Sequence, residues 1–202
     1  MNRFFQFATL LGFLLATGCK SNAPDQPSAP PNPYGAFHAD VQPGGLASIT
    51  NAIAVLHPLG DSKVMGKVTF TQTADGLVVV ADVSGLTPGK HGFHIHEWGD
   101  CSDMAKGMSA GGHYNPEGEM HGLPGMAHHH PGDMGNLDAD ADGNAHLEIT
   151  LTSVTIAGDK DPILGRSIIV HAKEDDGSQP TGNAGGRIAC GVIGVAKPPA
   201  PK

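Results

Sequence analysis

The apolar residues of this chain fall in short alternating runs, and no long segment repeats at the 3.6-residue spacing of an amphipathic helix. Ala52-Ile53-Ala54-Val55-Leu56 and Lys67-Val68-Thr69-Phe70-Thr71 have the length and residue types of strands. Ala74-Asp75-Gly76 is a turn signal, and the run from Leu77 to Val83 follows it as the next strand. Further strands are predicted at 92–96, 146–151, 167–171 and 187–195. Charged residues are only 16% of the 202, against 29 glycines and 16 prolines, a balance that favours turns over long helices. Short strands joined by Gly-rich connections read as an antiparallel sandwich or barrel. Two connections are long and polar, 97–136 and 172–186. Loops of that length in a compact domain are usually functional.

The first eighteen residues read as a targeting segment. Arg3 precedes a mostly apolar run from Phe4 to Ala16 that is too short to span a bilayer comfortably. Leu15-Ala16-Thr17-Gly18-Cys19 resembles the lipobox of bacterial lipoproteins, which implies lipidation of Cys19 after removal of residues 1–18. Residues 19–48 hold six prolines among Ser, Asn, Ala and Gly, with too little apolar surface to offset the entropy of ordering. They are expected to form a flexible tether, with His38 as a solvated residue, ahead of a domain over 49–202. The expected location is the periplasm or cell envelope, with the membrane met only through the lipid. A net charge of −8 argues against nucleic acid as a partner. If Cys19 carries lipid, Cys101 and Cys190 remain, and in an exported chain they are expected to form a disulfide.

Twelve histidines carry the chemistry, and most lie between His91 and His171. His94-Ile95-His96 sits on a predicted strand, where residues i and i+2 share a face, so both imidazoles can meet one metal. His171, ending another strand, can add a third ligand; neutral imidazole suits copper and zinc alike. In the first long loop, His113, His121, His130 and Asp133 can close a four-coordinate zinc site. His128 and His129 read as solvated, and the methionines of that loop as exposed or gap-filling residues. Asp138, Asp140, Asp142 and Gly143 imitate the start of a calcium loop, but Ile149 stands where the bidentate Glu belongs, so a turn is expected.

Three motifs then carry a resemblance: His91-Gly92-Phe93-His94-Ile95-His96-Glu97 with Cys101 after it, Gly112-His113-Tyr114-Asn115-Pro116, and Gly182-Asn183-Ala184-Gly185-Gly186-Arg187-Ile188-Ala189-Cys190-Gly191-Val192. From about residue 50 to 196 the chain resembles the copper/zinc superoxide dismutases. The resemblance implies an all-β fold: an eight-stranded antiparallel Greek-key β-barrel, flattened and immunoglobulin-like, with long metal-binding and active-site loops. It implies copper held by His94, His96, His113 and His171, and zinc held by His113, His121, His130 and Asp133. Asp175 is then the carboxylate linking ligands of the two metals, Arg187 the cation beside the open copper position, and Cys101–Cys190 the intrasubunit disulfide. The implied reaction is dismutation of superoxide by copper cycling between Cu(II) and Cu(I), with His113 as one proton donor and zinc as a structural ion. The loop between His171 and Arg187 is shorter than in many eukaryotic members, and the charged segment credited there with guiding substrate has no clear match. The segments 163–166 and 182–192 look closer to the eukaryotic-type branch, which implies a homodimer.

Overall fold

The computed structural model describes residues 49–197 together with Gly45. The leader over 1–18, Cys19, His38 and, Gly45 apart, the tether up to residue 48 lie outside the described residues. The described chain is antiparallel β-structure: β1 (Asn51–Pro58), β2 (Met65–Gln72), β3 (Leu77–Ser84), β4 (Gly89–His96), β5 (Asp133–Ala139), β6 (Ala145–Leu151), β7 (Ser167–His171), β8 (Arg187–Val192) and the two-residue β9 (Gly194–Val195). Its only described α- or 3-10 segment of more than one residue is a single 3-10 turn at Met108–Ala110.

Eight strands form one path, β5-β4-β7-β8-β1-β2-β3-β6, and β9 pairs with β1 outside it. β1, β2 and β3 are a meander; the chain then crosses from β3 to β4 and from β6 to β7, which makes the path a Greek key. The five-residue link from β5 to β6 brings the two ends of the path together and nearly closes the barrel; Asp140 caps it by accepting the backbone N–H groups of Asp142 and Asn144, each at 2.9 Å. The aspartates of this segment therefore make a turn. Alternation along the strands fills the interior. Ala52, Ala54 and Leu56 of β1, Val68 and Phe70 of β2, and Leu77, Val79 and Ala81 of β3 are all buried in one apolar cluster.

β5 departs from the sequence reading, which placed 133–136 inside a loop. Its sequence, Asp133-Met134-Gly135-Asn136-Leu137-Asp138-Ala139, has a polar residue at every third or second position, yet Asp133 is buried. Asp133 and Asn136 are turned to polar partners described below, so function has overwritten the strand's apolar pattern. The run at 187–195 also divides: Ile193 is buried between β8 and β9, and its N–H bonds the carbonyl of Arg166 at 2.9 Å.

β4 is the strand that positions the chemistry. It is buried on both faces from His91 to His96. Phe93 and Ile95 enter the core, while His94 and His96 face the long loops that cover the other side.

Candidate metal centre

The loop over 97–132 is stitched back onto β4 by backbone bonds. The N–H of Ile95 reaches Gly132 O at 2.9 Å, that of Tyr114 reaches Ile95 O at 2.8 Å, and that of Glu97 reaches Gly112 O at 2.9 Å. His113 is thereby held opposite His96. His171 ends β7 and pairs in register with Arg187 at the start of β8. Four elements thus deliver their side chains to one place.

Two donor sets result, each with donor atoms within 4.8 Å of one another: His94, His96, His113 and His171, and His113, His121, His130 and Asp133. His113 belongs to both. Its Nδ1 lies 2.8 Å from Asp133 Oδ1, and its ring stacks on His94 with centroids 4.0 Å apart.

The hydrogen bonds fix which ring nitrogen carries the proton. His96 Nδ1–H donates to Gly111 O at 3.1 Å and His171 Nδ1–H to Gly185 O at 3.2 Å. Both rings therefore present bare Nε2 atoms, and these lie 3.4 Å apart. His94 Nε2–H donates to Asp175 Oδ2 at 2.7 Å, which leaves its Nδ1 bare, buried and without a hydrogen-bond partner. His121 Nε2–H donates to Asp175 Oδ1 at 3.0 Å, and its Nδ1 is likewise bare. That Nδ1 lies 2.9 Å from Asp133 Oδ2, yet no hydrogen bond joins them. A buried carboxylate oxygen and ring nitrogen held that close without a hydrogen bond are placed to share a cation. The two donor sets could each hold a metal ion, and imidazoles with one carboxylate suit zinc on the Asp133 side while imidazoles alone suit copper on the other.

Protonation states agree with this. Burial lowers His94 to about 4 and His171 to about 3, and pushes His96 well below its ordinary value, so these rings are neutral at pH 7. Burial opposes ionisation of Asp133, but the hydrogen bond from His113 and the neighbouring imidazoles outweigh it and hold the carboxyl at about 2. For Asp175, the hydrogen bonds from His94 and His121 likewise overcome burial and lower it far below the carboxylate range.

Asp175 is buried and bonds both rings, whereas Asp176 is exposed and bonds Ser178 and Asn183. Two residues that the sequence did not single out hold this bridge. Asn136 of β5 makes two hydrogen bonds to the backbone of Asp175, at 2.8 and 2.9 Å, and Gln179 makes two to the backbone of His121, at 2.7 and 3.2 Å. Gly182, the first residue of the third sequence motif, supports it too: its φ is +71°, and a Cβ there would overlap Asp175 Oδ1. His128 bonds Glu119 at the surface, and neither it nor His129 belongs to a donor set.

A cavity of about 510 Å³ opens onto the first donor set, lined by His96, His113, His171 and Arg187. The Arg187 guanidinium is clamped by two backbone carbonyls, Gly107 O at 2.5 Å and Gly111 O at 2.6 Å. Both belong to the stretch after Cys101, which is bonded to Cys190 of β8. Lys106, exposed on that stretch, lines the same cavity. Its spacing from the other site residues gave no signal, because the turn at 103–110 decides where it points.

Residues 64–193 match the sequence profile described as copper/zinc superoxide dismutase. An extracellular superoxide dismutase [Cu-Zn] of Brugia pahangi is 40% identical over 161 residues, covering 75% of this chain and 79% of the relative. A superoxide dismutase [Cu-Zn] of Onchocerca volvulus is 45% identical over 158 residues, covering 72% of this chain and 96% of the relative.

Proposed function

The chain belongs to the copper/zinc superoxide dismutase family, and from that premise we propose how its own residues divide the work of the reaction. The protein is a superoxide dismutase with copper and zinc as cofactors: two superoxide anions and two protons become one dioxygen and one hydrogen peroxide. When bound, copper supplies the one-electron couple and zinc a fixed, redox-inert charge. We assign copper to His94, His96, His113 and His171, and zinc to His113, His121, His130 and Asp133. The observation that carries this is the pair of bare, buried nitrogens, His94 Nδ1 and His121 Nδ1, in donor sets that share one ring.

Arg187 draws the anion to the cavity and orients it, because its guanidinium is held by two carbonyls and cannot swing away. Lys106 adds a second positive charge at the same mouth, in place of the charged segment that the short 172–186 loop lacks. His113 faces Asp133 with Nδ1 and lines the cavity, and its Nε2 holds and delivers one of the two protons. Asp175 keeps the His94 and His121 rings turned so that each offers Nδ1.

The test measures copper and zinc per chain on purified protein and follows superoxide decay for wild type and His94→Ala. Both metals at one per chain with fast, His94-dependent decay are expected. Metal binding without decay would reduce the chain to a copper carrier.

We further assign the protein to the outside of the cytoplasm, lipid-anchored through Cys19 in a periplasm or cell envelope. The leader pattern, the disulfide and the extracellular relative support export. Cys19→Ser should move the protein from the membrane to the soluble fraction. A homodimer is the expected assembly. Trp98, Val55, Val192 and Val195 are exposed apolar residues on adjoining strands and the start of the long loop. Ser167, which bonds Trp98 O, pairs with Val192. Val192→Lys should leave a monomer by light scattering if this face is the contact.

A further inference from the structure

The mouth of the copper cavity carries soft sulfur that the dismutase chemistry does not use. Among the described residues, the exposed large apolar side chains include five methionines. Four of them, Met104, Met108, Met120 and Met126, lie in the loop that also carries His113, His121 and His130; the fifth, Met65, is on β2. In that loop the other exposed large apolar residue is Trp98, with no exposed leucine, isoleucine or phenylalanine. Methionine differs from the other exposed hydrophobes in carrying a soft sulfur donor.

Met108 is the one placed to matter. It lines the cavity with His96, His113 and His171, and the residue is 61% exposed. It thus borders both solvent and the space in front of the copper donors. Its backbone is fixed. The Asp103 carboxylate accepts the Met108 N–H at 2.9 Å and the Lys106 N–H at 3.2 Å. Gly111 N–H bonds Met108 O at 3.1 Å, and the preceding residue, Gly107, gives its carbonyl to Arg187. Behind this rim His94 and His96 are fully buried, so an ion reaches them by way of the cavity.

A thioether is a soft, uncharged donor that favours Cu(I), whereas imidazole holds copper in either state. We propose that Met108 is the first protein ligand of Cu(I) during copper loading: its thioether captures the ion at the mouth and yields it by ligand exchange to the bare Nε2 atoms of His96 and His171. In that exchange a sulfur–copper bond breaks as nitrogen–copper bonds form, with no electron transferred. The inference rests on the copper assignment above.

The experiment uses the full chain, zinc-loaded and copper-free, under anaerobic conditions without thiols so that Cys101–Cys190 stays bonded. Cu(I) is presented as its coloured bicinchoninate complex, and uptake is read as loss of that colour in stopped flow. Cu(II) sulfate uptake is read in parallel from the visible absorption of the loaded site. Met108→Leu should slow Cu(I) uptake roughly tenfold, equivalent to about 1.4 kcal/mol. Cu(II) uptake and the final copper per chain should match wild type. Met65→Leu, an exposed methionine on β2, should leave both rates unchanged. Wild-type Cu(I) uptake by Met108→Leu overturns the proposal, and so does equal slowing of Cu(I) and Cu(II), which would assign the effect to the shape of the rim. A wild-type protein that never reaches one copper per chain overturns the copper assignment itself, and the proposal with it.

Discussion

Replacing Asp175 by Asn removes one charge and one acceptor and keeps the volume. The native carboxylate accepts from His94 Nε2–H at 2.7 Å on one oxygen and from His121 Nε2–H at 3.0 Å on the other. Both rings are buried. An Asn amide has one oxygen, so whichever way it turns, its NH₂ group faces one imidazole N–H. One charge-assisted hydrogen bond is lost outright, at roughly 1.5–3 kcal/mol, and the other becomes a neutral one. Losses of that size through an outer partner of a metal ligand correspond to about 10- to 100-fold in metal affinity. Because His94 belongs to the first donor set and His121 to the second, affinity for both metals should fall, with the larger loss on the side the amide nitrogen faces. Competition against a chelator, with the two metals quantified separately, measures it. Asp176→Asn is the matched control, since that carboxylate is exposed and bonds only Ser178 and Asn183 among the described residues. Wild-type affinity for both metals in Asp175→Asn would refute the reasoning, as would an equal loss in the Asp176 control.

Arg187→Leu should lower the rate of superoxide decay about tenfold or more and flatten its dependence on ionic strength; Lys106→Gln should flatten the salt slope with a smaller loss of rate, and an unchanged slope in both would remove the steering role. Cys101→Ser opens a disulfide joining residues 89 apart, which the loop-entropy relation values at roughly 4–5 kcal/mol, so the urea midpoint should drop sharply. The metal-free chain should lose stability in acid. His94 at about 4 and His171 at about 3 lie below the ordinary 6.5, so the unfolded chain takes up protons first as pH falls. Stability is complete above about 6.5 and declines toward the folded values, each ring contributing a slope of about 1.4 kcal/mol per pH unit. Urea midpoints between neutral pH and about 4.5 measure this, and a flat profile contradicts it.

What was legible in the sequence followed from local periodicity. His94 and His96 share a strand face by spacing alone, and the apolar runs of β1 to β4 and β6 to β8 mark themselves. β5 did not, because its buried positions include Asp133, turned to three imidazoles, and its Asn136 holds the backbone of Asp175. A strand that works as part of a metal site loses the pattern by which strands are found. Asn136 and Gln179 were illegible for another reason. They act on residues 39 and 58 positions away in sequence, and only the folded loop brings them together. The same holds for Lys106, whose place at the cavity depends on Asp103 accepting three backbone N–H groups of its own turn.

The cavity is bounded by two walls that the chain secures by different means. On one side the stretch after Cys101 is tied by the disulfide to β8 and in turn clamps Arg187 through the carbonyls of Gly107 and Gly111. On the other, His113 is held by Asp133 at the start of β5 and by the backbone pairing of its loop with β4. Arg187 and His113 therefore belong to separately secured walls, one tied through a disulfide and one through hydrogen bonds. β4, buried on both faces, is the rigid element between them. An arrangement of this kind holds the Arg187 charge in place through protein contacts alone, so the mouth is cationic once the apolar-cored barrel has folded. The acidic net charge of −8 does not work against this, because Arg187 and Lys106 line the same cavity as His96, His113 and His171, while charges farther off on the surface are screened by salt.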